Sequence, residues 1–143
     1  MGKRFKKDER MERTKILIDT TILIDHYRKK NRKKTIFYHL SLEYNFAISS
    51  ITEYEYLVGF KDENREDAKS IFNKISIIPF DSKLVKEACE IHHELKSSSK
   101  LIPPLDIFIA ATARSNDLEL ATINIKHFKW IKKLKLIELE KYK

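Results

Sequence analysis

The segment Ile16-Leu17-Ile18-Asp19-Thr20-Thr21-Ile22-Leu23-Ile24-Asp25 constrains the fold more than any other part of the chain. Its apolar opening is long enough for one strand buried on both faces. Asp-Thr-Thr then supplies the oxygen acceptors that satisfy free N–H groups where a helix begins. Ile22, Leu23 and Ile24 open a helix packed back on that strand. An acid at the C-terminal end of a parallel strand points into the crevice where open α/β sheets bind ligands. Asp19 is therefore both a helix cap and a first functional candidate.

The same grammar repeats downstream. Phe46–Ser49 reads as a second strand, with Ser50 and Thr52 placed to cap the helix that follows and Gly59 placed to end it. Ile77–Phe80 reads as a third strand, at an edge because proline cannot donate to a ladder. Asp81 begins a long amphipathic helix closed by Ser97–Lys100. Pro103-Pro104 opens a helix apolar nearly all round, Leu105–Ala113, which is hence central. Leu118–Thr122 is a fourth strand, Lys126–Ile131 a turn or short helix, and Leu134–Leu139 a fifth strand. Strands alternating with helices predict one α/β domain with a mostly parallel, five-stranded sheet flanked by helices. Residues 1–14 are predicted to be a basic, disordered tail, and residues 15–143 the domain.

Three acids stand out against this frame. Asp19 ends a strand, Asp106 opens the most apolar helix, and Glu55 lies among Ile51, Tyr54, Leu57 and Val58. In a parallel sheet, strand ends and helix starts share one rim, so these carboxylates can converge. Close like charges require a cation to remain ionised together. An oxygen-only set suits Mg²⁺ or Mn²⁺. Asp106 could equally serve the helix N-terminus, and Glu53 rivals Glu55, since both flank the same apolar stripe.

The remaining chemistry narrows the possibilities by exclusion. Cys89 is the sole cysteine, so an intrachain disulfide and a four-cysteine zinc site are ruled out, and a reducing, cytoplasmic setting fits. Its place beside the inward stripe of its helix reads as core. No stretch approaches the roughly 18 apolar residues of a membrane span. The net charge is +8, half of it within residues 1–15. Clustered positive charge favours phosphate-bearing partners, most plainly in Arg28, Lys29, Lys30, Arg32, Lys33 and Lys34. Lys126, Phe128, Lys129, Trp130, Lys132 and Lys133 mix bases and aromatics as single-strand RNA binders do, though Phe128 and Trp130 equally fit a core. His92 and His93 face different ways, and His26, His39 and His127 read as surface or satisfied histidines.

Ile16–Asp25 resembles the opening strand and helix of PIN-domain nucleases. Ile48–Gly59 is similar to their second motif, with the acid on Glu55. Pro104–Ala113 resembles the third, with Asp106 as its acid, and Leu120–Phe128 the fourth. No single motif is specific, but four in this order and spacing are. The length and order best resemble VapC-type toxins of toxin–antitoxin pairs, over about Lys15 to Leu139. The resemblance implies an Mg²⁺- or Mn²⁺-dependent ribonuclease hydrolysing RNA phosphodiester bonds, the toxin of a type II toxin–antitoxin system. It implies Asp19, Glu55 and Asp106 as catalytic metal ligands, with Thr20, Ser50 and Thr122 as hydroxyl donors to the carboxylates. Asn124 stands where an acid is often found, and its carbonyl oxygen can still face a metal without adding charge. A homodimer and a cognate antitoxin are implied too, with the basic run contacting RNA or antitoxin. An RNA-processing nuclease without antitoxin, or a non-catalytic PIN domain that binds RNA or protein, fits the same pattern.

Overall fold

The computed structural model describes residues 12–143. The predicted tail lies, up to Met11, outside the described residues. Strand β1 is Lys15–Ile18, followed by helix α1 (Thr20–Arg28), a 3-10 turn over Arg32–Lys34 and helix α2 (Ile36–Ser41). Strand β2 (Asn45–Ser49) leads into α3 (Ser50–Leu57) and α4 (Asp62–Ala68), the latter tightening to a 3-10 turn over Lys69–Lys74. Strand β3 (Ser76–Ile78), the long α5 (Ser82–Ser97), α6 (Pro104–Ser115), strand β4 (Leu120–Ala121) and the short α7 (Ile125–Phe128) complete the order.

The sheet is parallel throughout, in the order β3-β2-β1-β4. It has four strands rather than five. Leu134–Leu139 contributes only a bridge between Leu120 and Leu136. That bridge is fastened by Leu120 N to Lys135 O at 2.8 Å and Ile137 N to Leu120 O at 2.9 Å. The reason is β4 itself, which is two residues long, so the segment beside it has almost nothing to pair with.

Burial explains the apolar strands. Ile16 and Ile18 face one core with Phe46, Ile48 and Ala121. Leu17 faces the other with Ala47 and Leu120. The alternation is the period of two that a pleated strand imposes. All three β1 side chains are fully buried, each contributing about 1.5–3 kcal/mol. Edge strand β3 carries Ile77 partly exposed, as its following proline predicts.

Helix α6 lies against α5 through an apolar strip that includes Ala110, Ala111 and Ala113. Arg114 pins the pair: its guanidinium, nearly buried, reaches Glu87 at 2.5 Å and Glu94 at 3.2 Å on α5. Cys89, predicted as core, is exposed, because the buried stripe of α5 runs through Leu84, Ala88, Ile91 and Leu95 instead. Among the described residues no helix is long and apolar enough to cross a membrane.

Candidate active site

Asp19 sits where β1 becomes α1. It caps that helix, accepting from Thr21 N at 3.1 Å, and is only 3% exposed. Two hydroxyls close on the same carboxylate. Thr21 Oγ1 donates to Oδ1 and Thr122 Oγ1 to Oδ2, each at 2.5 Å. Thr122 follows β4 directly, so hydrogen bonding between adjacent strands brings it beside β1: Asp19 N donates to Ala121 O at 3.1 Å. Burial pushes the Asp19 carboxyl up from 3.8 to about 6, against the lowering effect of the Thr122 and Thr21 hydrogen bonds. Among the described residues no lysine or arginine pairs with it. Capping and site are one role here, not two.

Thr20, the next residue, donates from Oγ1 to Glu55 Oε1 at 2.7 Å. This bond ties Glu55, rather than Glu53, to the segment that carries Asp19. Glu53 lies instead beside a shallow depression with Tyr54, Val58 and Arg65. The helix carrying Glu55 is capped by Ser49, whose Oγ accepts from Ile51 N at 3.1 Å, rather than by Ser50 or Thr52. Ser50 is also redirected. Its hydroxyl oxygen accepts from Phe80 N at 3.0 Å, tying the segment after β3 to α3. Thr52 is fully buried, and its Oγ1 has no hydrogen-bond partner among the described residues.

Asp106 lies in the first turn of α6, where a negative charge is favoured. Its Oδ2 is 2.5 Å from His127 Nδ1, which in turn is 2.8 Å from Asn124 Nδ2. One ring nitrogen cannot donate to the first and accept from the second at once, so the tautomer decides: Nδ1 either donates to Asp106 or accepts from Asn124. Asn124 N donates to Thr122 Oγ1 at 3.0 Å, joining this trio to Asp19. Chain adjacency and hydrogen bonds together thus place Glu55, Thr20, Asp19, Thr122, Asn124, His127 and Asp106 in one cluster.

His127 and Thr21 are the residues that sequence reasoning missed. His127 is satisfied, as predicted, but its partners are two candidate site residues. The available signal was its spacing, three positions after Asn124, which on a helical turn gives one face. The three acids are linked by these donors rather than by mutual contact. Among the described residues no three His, Cys, Asp or Glu side chains are gathered closely enough to hold a metal. Each carboxylate is instead occupied by its own threonine or histidine, the arrangement expected of like charges that must avoid one another.

The basic run is exposed throughout, from Arg28 to Lys34. Arg28 shares a surface depression with Glu55, Tyr27 and Phe60, which places the start of the run beside the site.

Comparison with known proteins agrees with this geometry. A PIN domain family profile matches residues 16–133. Ribonuclease VapC1 of Methanocaldococcus jannaschii is 33% identical over 135 residues, 94% of this chain and 93% of that protein. Ribonuclease VapC10 of Mycobacterium tuberculosis is 28% identical over 120 residues, 84% and 90% of the two chains. Among solved structures, VapBC2 from Rickettsia felis bound to a DNA fragment from its promoter superposes with a TM-score of 0.74. There the identity is 28%, over 87% of this chain and 98% of that one. On the strength of its motifs, its parallel sheet and these matches, the chain belongs to the PIN domain family.

Proposed function

We propose that this protein is a metal-dependent ribonuclease, the toxin of a toxin–antitoxin pair, in which Asp19, Glu55 and Asp106 hold Mg²⁺ or Mn²⁺ and Asn124 assists. The observation that carries this reading is Asp19: a 3%-exposed carboxylate with no lysine or arginine paired to it among the described residues, with Glu55 held by the adjacent Thr20 and Asn124 held through Thr122. The donor types suit the ion, although among the described residues the three acids are not gathered about one point. Carboxylate and amide oxygens are hard ligands, and Asp19 is raised to about 6 because no positive charge offsets its burial. A bound divalent ion supplies the positive charge that a phosphodiester under attack requires and the acidity that makes water nucleophilic.

The chain's own residues prepare that chemistry. Thr21 and Thr122 fix both oxygens of Asp19, and Thr20 fixes Glu55, so neither carboxylate has to search for its orientation. His127 Nδ1 stands within hydrogen-bond reach of both Asp106 and Asn124 and orients one of them in each tautomer. The exposed basic run draws the RNA backbone toward the rim. The names of the relatives support ribonuclease activity, and the VapBC complex among the solved neighbours supports an antitoxin partner. Exposed Tyr27 on α1, beside Glu55, and exposed Tyr54 and Val58, on α3 and at its C-terminal cap beside Glu53, offer such a partner apolar contact. A second copy of the chain is the further partner that membership of this group implies.

The test is to incubate the purified protein with total cellular RNA and Mn²⁺ and to sequence the new ends. Discrete new ends that vanish in Asp19→Asn and in Asp106→Asn are expected. Ends that persist in both variants, or no ends at all, would overturn the reading.

A further inference from the structure

We propose that Trp130 is a base-stacking subsite for single-stranded RNA, framed by the ammonium groups of Lys100 and Lys129. The inference rests on the ribonuclease reading and deepens it. Phe128 and Ile131 on either side are buried, at 1% and 5% exposure, and anchor the segment after α7, whereas Trp130 between them is 54% exposed. The core alternative open for both aromatics is thus realised by Phe128 alone. An indole is costly to leave in water, and here it is held outward by a well-anchored backbone: Lys129 N donates to Ile125 O at 3.0 Å and Ile131 N to Phe128 O at 3.1 Å.

Two cations from separate parts of the chain meet at this ring. Lys129 Nζ lies 5.2 Å from the ring centroid and Lys100 Nζ 4.9 Å, both within cation–π range. Lys100 comes from the loop between α5 and α6, where its N–H donates to Leu95 O at 2.8 Å and Ser99 before it takes a left-handed φ of 58°. Neither lysine joins an ion pair among the described residues. Lys126, Lys132 and Lys133 add exposed charge, and no acid interrupts the chain from Asn124 to Ile137.

Both arms of this frame lead back to the site. Trp130 lies three positions after His127, a span of at most about 11 Å, and Lys100 six positions before Asp106. A base stacked on the indole therefore belongs to a nucleotide near the one whose phosphodiester faces the carboxylates. As that base arrives, a lysine over the ring gives way and takes the neighbouring phosphate. Stacking on an aromatic with flanking cations is tolerant of base identity, as a sequence-independent grip on a single strand requires.

Trp130 is the sole tryptophan, so intrinsic fluorescence of the full chain reports on this position alone. A short 2′-O-methyl oligonucleotide, which cannot be cleaved, is titrated in the presence of chelator while fluorescence and the anisotropy of a labelled strand are followed. Quenching is expected to track binding and to weaken with salt. Trp130→Ala should bind roughly 5- to 150-fold more weakly, and Trp130→Phe should retain most of the affinity. Binding without quenching, or equal affinity in Trp130→Ala, overturns the proposal. So does equal quenching by an abasic strand, which would show a phosphate effect only, or by polyglutamate, which would assign the surface to an acidic polypeptide. Failure of the ribonuclease reading shows separately, as absence of Mn²⁺-dependent cleavage by the unaltered chain.

Discussion

Replacing Asp19 with asparagine should stabilise the metal-free protein while abolishing its cleavage of RNA. The carboxyl titrates near 3.8 in an unfolded chain and is pushed up to about 6 by burial in the fold. The folded state therefore binds this proton more tightly than the unfolded state does. The resulting stability is fully present below pH 3.8 and is lost as the pH rises through about 6. A displacement from 3.8 to about 6 amounts to about 3 kcal/mol. Asparagine keeps the helix cap and one oxygen acceptor, but turns an amide toward a hydroxyl that had been donating, which returns about 1 kcal/mol. The net expectation is a variant more stable by about 2 kcal/mol at pH 7.5 in chelator, with the gap closing as the pH falls toward 4. Urea unfolding followed by circular dichroism between pH 4 and 8 measures it. Added Mn²⁺ should raise the wild type and leave the variant unchanged, since binding to the folded state alone is what stabilises. A variant less stable than wild type at pH 7.5 in chelator, or a gap indifferent to pH, would refute the reasoning.

Glu55→Gln should lower Mn²⁺-dependent cleavage by about two to three orders of magnitude, the scale of losing one preorganised charge-stabilising group, while Glu53→Gln stays near wild type. The reverse ranking in a cleavage assay would show the second motif misaligned. Asn124→Asp should bind Mn²⁺ roughly tenfold more tightly by calorimetry, since a fourth carboxylate joins three. The same variant should melt about 2–4 °C lower without metal, because the added charge faces Asp106 across His127. Replacing Arg28, Lys30, Arg32 and Lys33 with serine should flatten the salt dependence of RNA binding by about 0.7 in slope for each phosphate deprived of its cation. An unchanged slope would reduce the run to solvated surface.

The legible and illegible parts of this chain differ in range. Strand β1 could be read from three adjacent residues because burial on both faces leaves only apolar choices. Asp19 could be read because strand exit, helix cap and ligand crevice coincide at one position. Glu55 could not be separated from Glu53 by helical geometry, since the deciding contact is a hydroxyl 35 residues away on Thr20. The motif resemblance favours Glu55, and the hydrogen bond gives the physical reason. His127 was invisible for the same cause: its meaning lies in Asp106, 21 positions earlier. The fifth strand was over-read because Leu134–Leu139 has the composition of a strand, while pairing depends on the length of its neighbour. Ser50 carries a further contact at long range: its hydroxyl oxygen accepts from the backbone of Phe80, 30 positions later.

The bond from Thr122 to Asp19 closes a loop of 103 residues, and it gives the site a place in time as well as in space. During synthesis at roughly 5–20 residues per second, β1 and Asp19 leave the ribosome well ahead of Thr122 and wait while 103 further positions are added before their second hydroxyl partner exists. Until β4 has emerged, the inner strand β1 has one open edge, Asp19 Oδ2 lacks its donor, and Asn124 and His127 are still inside the exit tunnel or unmade. A nascent chain therefore carries the acids without the arrangement that orients them. An enzyme that cleaves RNA is made beside the messenger and ribosome that encode it, and this topology withholds the bonded arrangement around Asp19 from the polypeptide until β4 and α7 have been made.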